Sequence, residues 1–241
     1  MKIPLLILGV LAALLVLYWG ARFAYLFSIA MKLTSNTVPF ERITDDTRVP
    51  LLVLGDSTAV GVGASTPEES VPGRVAVYIG ATYVENHAVS GARVDDVPQQ
   101  VKKATLPRYR MILLQIGAND MARFRDADEA AAGLAEVLQG LPAADTVVVI
   151  SAGDLGTARI FPPPMRPWYT RVNRAYHAAF AKAAEAHGAV YVDLSRGPGK
   201  ELFEKEPGTY FAPDQFHLSS AGYGLWFDAI REALEKVGGE V

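Results

Sequence analysis

The chain has 241 residues, half of them hydrophobic and one fifth charged, a composition that builds a globular core and not a disordered coil. Its formal net charge is -3 and no basic block interrupts it, which excludes the electrostatic footprint of a nucleic-acid partner. The absence of cysteine excludes disulfides, thiolate metal sites, a cysteine nucleophile and a lipidated cysteine anchor.

Ile3 to Gly20 carries no charge and is dominated by Leu, Ile, Val and Ala. Eighteen residues of helix rise ~27 Å, close to the thickness of a bilayer core. Arg22 interrupts the run, and apolar character resumes from Phe23 to Met31. Arg22 can snorkel towards an interface, where Tyr18, Trp19 and Tyr25 suit an aromatic belt. Three readings fit: a membrane anchor, a cleaved signal peptide or a buried helix. The anchor is favoured, because no clear small-x-small cleavage site follows a short apolar core. Lys2 stands before the span and Arg22 and Lys32 after it, so the positive-inside rule is balanced. The expected placement puts the globular domain outside the cytoplasm. Residues 33–49 mix Thr, Asp, Arg, Asn and proline without apolar period and read as a linker. Residues 1–32 are then an N-terminal membrane anchor or signal segment, and 50–241 the folded domain.

Strand and helix patterns alternate from there. Leu51 to Leu54 is a continuous apolar run of the kind a buried parallel strand shows, ended by Gly55. Val71 to Ile79 reads as a helix, Thr82 to Glu85 as a short strand and Val94 to Ala104 as a helix, a reading Pro98 weakens unless it falls in the first turn. Met111 to Ile116 is a buried strand and Asp126 to Leu138 a helix with acids at its positive end. Thr146 to Ile150 is a strand. A proline-rich loop, Phe161 to Pro167, leads into the clearest helix, Pro167 to Ala186, with Tyr169, Val172, Tyr176 and Phe180 on one stripe. Ala189 to Val192 is the last strand. Ser220 to Val237 is the closing helix, with Ser219 as its N-cap and Leu225, Ala229, Ala233 and Val237 on one face. About five parallel strands covered by helices on both faces follow from this order.

In open α/β sheets, ligands bind beyond the carboxyl ends of strands. Ser57, in Gly55-Asp56-Ser57, stands at such an end, where it serves as a nucleophile or merely as a turn or helix cap. A serine nucleophile needs a base and a group to orient the base. Of the four histidines, His177 and His187 lie on or at the end of the long helix and read as structural. His87 follows the second strand with no acid in an obvious local motif. His217 differs: Asp214 lies three residues before it, so one turn can aim both side chains the same way. Asn119, after the third strand, and Gly91, after the second, can offer N–H groups to developing negative charge. No histidine–carboxylate cluster has metal-ligand spacing. Gly61-Val62-Gly63 lacks the third glycine of a dinucleotide loop.

Gly55-Asp56-Ser57, Gly91, Gly117-Ala118-Asn119-Asp120 and Asp214-x-x-His217, in that order over Leu51 to Val237, resemble the SGNH hydrolase family of GDSL-type esterases and lipases. His217-Leu218-Ser219-x-x-Gly222-Tyr223 resembles the family's continuation past its histidine. Thr58 stands where the family usually has Leu or Ile, so the family name says nothing of substrate. The resemblance implies a three-layer α/β/α, flavodoxin-like fold, a Ser57 nucleophile, His217 as base and then acid, and Asp214 as its orienting carboxylate. It places the Ser57 and Gly91 backbone N–H groups and the Asn119 side chain in an oxyanion hole, and leaves Asp56 and Asp120 as supports for the loops. It calls for no cofactor and no metal. The implied substrate is a small-molecule, lipid or glycan ester cleaved through a Ser57 acyl-enzyme. Transfer of the acyl group to a glycan, or non-catalytic glycan or lipid binding, are the alternatives. Phe161, Met165, Trp168 and Phe211 are candidate apolar pocket residues.

Overall fold

The computed structural model describes residues 2–195 and 198–238. Five parallel strands form one sheet in the order β2-β1-β3-β4-β5. They are β1 (Pro50–Gly55), β2 (Tyr83–Asn86), β3 (Arg108–Gln115), β4 (Ala143–Ile150) and β5 (Val190–Val192). This is the flavodoxin-like order, whose chain reversal lies between β1 and β3. Leu51 to Leu54 are fully buried on both faces, which explains why the strand shows no alternation. Val53 pairs with Leu113, and Leu113 with Val148, so the sheet centre is aliphatic from strand to strand.

Helices cover both faces. α3 (Val71–Tyr78) packs with α10 (Ser220–Gly238), and α6 (Ala127–Gln139) with α7 (Arg166–Ala186). Tyr169, Tyr176 and Phe180 of α7 are buried, as the stripe requires. Ser219 Oγ accepts from the Gly222 N–H at 3.2 Å and caps α10. The side chain of Val237, assigned to the same stripe of α10, and the last three residues of the domain lie outside the described residues.

Several elements differ from the sequence reading. β3 and β4 begin three residues before their apolar runs. Their first residues break the apolar run with Arg108, Arg110 and Asp145 among partly exposed alanines, and Asp145 ties the two strands together through Arg108 and Arg110. The predicted helix over 94–104 is a 3-10 turn, Val94–Asp96, followed by the short α4 (Val97–Val101). Pro98 sits in the first turn of α4, where its missing N–H costs nothing. Four short helices carry no period long enough to read: α2 (Ser57–Val60), α5 (Ala118–Ala122), α8 (Pro198–Lys205) and α9 (Pro207–Tyr210).

The N-terminal helix α1 runs from Lys2 to Asn36, with Leu6–Asn36 long and apolar enough to cross a membrane. It does not stand apart from the domain. Leu26 and Ala30 are buried, and Arg22 donates to the carbonyl of Arg159 at 2.7 Å and to Gln215 Oε1 at 2.5 Å. Arg22 thus turns towards the domain and not out to an interface. The segment after α1 is also fastened. Phe40 is buried, and Arg42 exchanges two backbone hydrogen bonds with Val84 on the outer side of β2, at 3.0 and 2.7 Å.

Candidate active site

β1 delivers Ser57 to the carboxyl edge of the sheet through an unusual turn. Gly55 has φ 138°, and a Cβ there would lie 1.9 Å from the Gln115 carbonyl oxygen, so only glycine fits. The buried Gln100 side chain holds this residue from both sides. Its carbonyl accepts from the Gly55 N–H at 2.8 Å, and its amide donates to the Gly55 C=O at 2.9 Å. Asp56 caps α2, accepting from the Thr58 N–H at 2.9 Å and the Thr58 hydroxyl at 2.8 Å. Sequence reasoning missed Gln100, because one glutamine on a short helix carries no pattern.

A hydrogen-bonded chain starts at Ser57. His217 Nε2 lies 3.0 Å from Ser57 Oγ, and His217 Nδ1 lies 2.5 Å from Asp214 Oδ2. The other carboxylate oxygen of Asp214 accepts the backbone N–H groups of Phe216 and His217, each at 3.0 Å. Burial alone would raise the Asp214 pKa. The bond from His217 and the two backbone donors outweigh it and hold this carboxyl below its ordinary value. Asp214 is fully enclosed, and Ser57 and His217 are nearly so. The loop between α9 and α10 is braced by the Phe211–Leu218 bridge, and Gln215 beside the histidine takes φ 57°.

Gly91 and Asn119 meet at the same edge. Gly91 has φ 83°, and the Asn119 amide donates to the carbonyl of Ala92 at 3.0 Å. That bond uses one of the amide's two N–H donors. Asp120 accepts the Val94 N–H at 3.1 Å and the Arg125 guanidinium at 3.0 Å, tying α5 to the turn after β2. Asp56, wrapped in protein, has its carboxyl pushed up to about 6 by burial, against the bonds from Thr58.

Two cavities meet at Ser57, Asn119 and His217. An inner one of about 50 Å³ is walled by Leu155, Phe203, Phe211 and Trp226 among others. An outer apolar cleft of about 900 Å³ is also lined by Gly91, Phe161, Met165 and Phe216. Of the candidate pocket residues, Phe161 and Met165 line the cleft and Phe211 the inner cavity. Trp168 packs instead against Phe124, with ring centroids 5.2 Å apart and ring planes tilted by 50°. His87 does find an acid, Glu85 at 2.8 Å, but the pair faces Thr105 and Tyr109. His177 bonds the Tyr191 hydroxyl, and His187 the carbonyl of Ala183.

A doubly wound sheet carrying a Ser–His–Asp chain at its switch point is the arrangement of an α/β serine-hydrolase fold. The chain belongs to the GDSL-like Lipase/Acylhydrolase family, whose model matches residues 53–225. It is 32% identical to a GDSL-like esterase of Mycobacterium tuberculosis over 82% of its own length. It spans 64% of that longer relative. Among solved structures it resembles the phospholipase A1 of Streptomyces albidoflavus NA297, with TM-score 0.60, 19% identity, and coverage of 77% of this chain and 99% of that one. It also resembles the acetylxylan esterase Axe2 of Geobacillus stearothermophilus, with TM-score 0.53, 19% identity, and coverage of 78% and 94%. At such identities these two structures speak to the fold alone.

Proposed function

We propose that this protein is a serine ester hydrolase that works through an acyl-enzyme on Ser57. The observation that carries this reading is the Asp214–His217–Ser57 chain opening onto a cleft. Ser57 Oγ attacks the ester carbonyl as His217 Nε2 takes its proton. Asp214, which keeps its charge, fixes the proton on Nδ1 and favours the imidazolium that forms. The N–H groups of Ser57 and Gly91 and the Asn119 amide receive the oxyanion. The tetrahedral intermediate then expels the alcohol, which His217 protonates. Water, deprotonated by His217, repeats the attack on the acyl-enzyme and releases the acid. The Mycobacterium tuberculosis relative, described as an esterase, supports the same reaction class.

Location and organisation belong to the same proposal. Residues 1–32 anchor the protein in a membrane, 33–49 link the anchor to the sheet edge, and 50–241 form the catalytic domain, held on the extracytoplasmic side. Protease added to intact cells is expected to reach the domain. The chemistry is tested with p-nitrophenyl acetate. The wild type is expected to hydrolyse it, and Ser57→Ala is expected to fall to the buffer rate while keeping its thermal unfolding transition. Unchanged turnover in Ser57→Ala refutes the assignment.

A further inference from the structure

The cleft in front of Ser57 is not closed by the catalytic domain alone. Leu15, Trp19, Phe23, Phe27 and Met31 of α1 form its opposite wall. They recur every four residues, so they occupy one continuous face of the helix. From Leu15 to Thr34 that face extends ~28 Å along the axis. α1 as a whole rises ~52 Å, whereas ~20 residues suffice to cross a bilayer core. The helix is therefore long enough both to span and to project beside the domain, with the cleft running from one part to the other.

Two further observations point the same way. Arg22 is charged within an apolar helix, where charge is costly and marks a function. Its bonds to the Arg159 carbonyl and to Gln215 lock this turn of α1 to the loop that carries His217. Across the cleft, Phe124 is 64% exposed and is held at φ 60°, a conformation costly for a bulky residue. With Trp168 and Met165, both also exposed, it gives the domain an apolar rim beside the helix. A contiguous exposed apolar rim of this kind suits contact with a membrane surface.

We propose that α1 is part of the substrate site as well as the anchor, and that the substrate is an ester with a long hydrocarbon chain. The chain reaches Ser57 from the bilayer, lying between α1 and the Phe124–Met165 rim. This rests on the serine-hydrolase reading and adds the substrate class and its route.

Gly20 and Gly9 supply the test. Both lie on α1, and a Cβ at either meets nothing within 4 Å, so the helix tolerates a side chain at each. Gly20 lines the cleft, and Gly9 is not among its lining residues. Full-length protein is reconstituted in phosphatidylcholine vesicles. Hydrolysis of p-nitrophenyl palmitate and hexadecyl acetate, which place the long chain on the acyl or the alcohol side, is compared with that of p-nitrophenyl acetate. The wild type and Gly9→Trp are expected to favour at least one long-chain ester. Gly20→Trp is expected to lower that long-chain to short-chain ratio at least tenfold, and Phe23→Ala with Phe27→Ala to lower it several-fold. Two results overturn the proposal: no long-chain preference in the wild type, or ratios in both cleft variants equal to that of Gly9→Trp. Wild-type turnover of p-nitrophenyl acetate alone would overturn the lipid route and leave the hydrolase reading standing. Inactivity on every ester would remove both.

Discussion

Asp214→Asn separates the orienting role of the carboxylate from its packing. One oxygen of Asp214 accepts two backbone N–H groups at 3.0 Å, and the other faces His217 Nδ1 at 2.5 Å. Asparagine has one oxygen and one NH₂ group. The two backbone donors claim the oxygen, because an NH₂ there would meet two N–H groups. The amide nitrogen is then left facing Nδ1 and donates to it. His217 must accept at Nδ1 and carry its proton on Nε2, the atom that should take the proton of Ser57. The fold keeps its hydrogen bonds while the base is in the wrong tautomer. The expected loss is about 10⁴-fold in kcat, or ~5 kcal/mol of barrier, the size seen when a Ser-His-Asp triad loses its carboxylate this way. KM for p-nitrophenyl acetate should move little. The assay is steady-state hydrolysis, with thermal unfolding as the check on the fold. A variant within tenfold of wild-type kcat would remove Asp214 from the mechanism.

Asn119→Ala removes one proposed oxyanion donor. It is expected to cost ~3 kcal/mol of transition-state stabilisation, ~100-fold in kcat with KM nearly unchanged. A rise in KM alone would make Asn119 a binding residue. Asp56→Asn tests the buried carboxyl beside the nucleophile. Its pKa in the folded chain is about 6, above the ordinary 3.8, so the unfolded chain loses this proton first as pH rises. Stability therefore falls through the interval between those values and stays lowered above it. Asparagine can still accept from Thr58 without the charge, so the variant should melt higher than wild type at pH 8, by of the order of 3 kcal/mol, with the gain fading towards pH 4. Asp214 works in the opposite sense. Its folded pKa is lowered, so its contribution is present above the ordinary carboxylate range and is lost as pH falls through the lowered value. A melting profile of Asp56→Asn that parallels wild type at every pH would contradict the buried-charge reasoning.

Much of the architecture was legible because each buried strand is a short apolar run bounded by turn residues, as in Leu51–Gly55 and Met111–Ile116. What failed to show was whatever lacks that signature. The first residues of β4 pair with β3 through backbone and Asp145, and their side chains are partly exposed. The two helices between β5 and α10, α8 and α9, are too short to display a period. The site's parts were legible as residue types, since Ser57, Gly91 and Asn119 each follow the carboxyl end of a strand and the Asp214–His217 pair precedes the closing helix, all at one sheet edge. Gln100 was not, because its role depends on a single contact pair with Gly55. The second role of α1 was hidden for a simple reason: residues that face lipid and residues that face an apolar cleft are the same residues in a sequence. Only the position of the helix beside Ser57 separates them.

The most direct test of the account is to map where the nucleophile is. Full-length protein in detergent, treated with a fluorophosphonate and digested, is expected to yield one labelled peptide, with the adduct on Ser57. Labelling should be lost in Ser57→Ala and strongly slowed in Asp214→Asn. An adduct on another residue, or undiminished labelling of Ser57→Ala, would contradict the assignment of Ser57 as the group that attacks the ester.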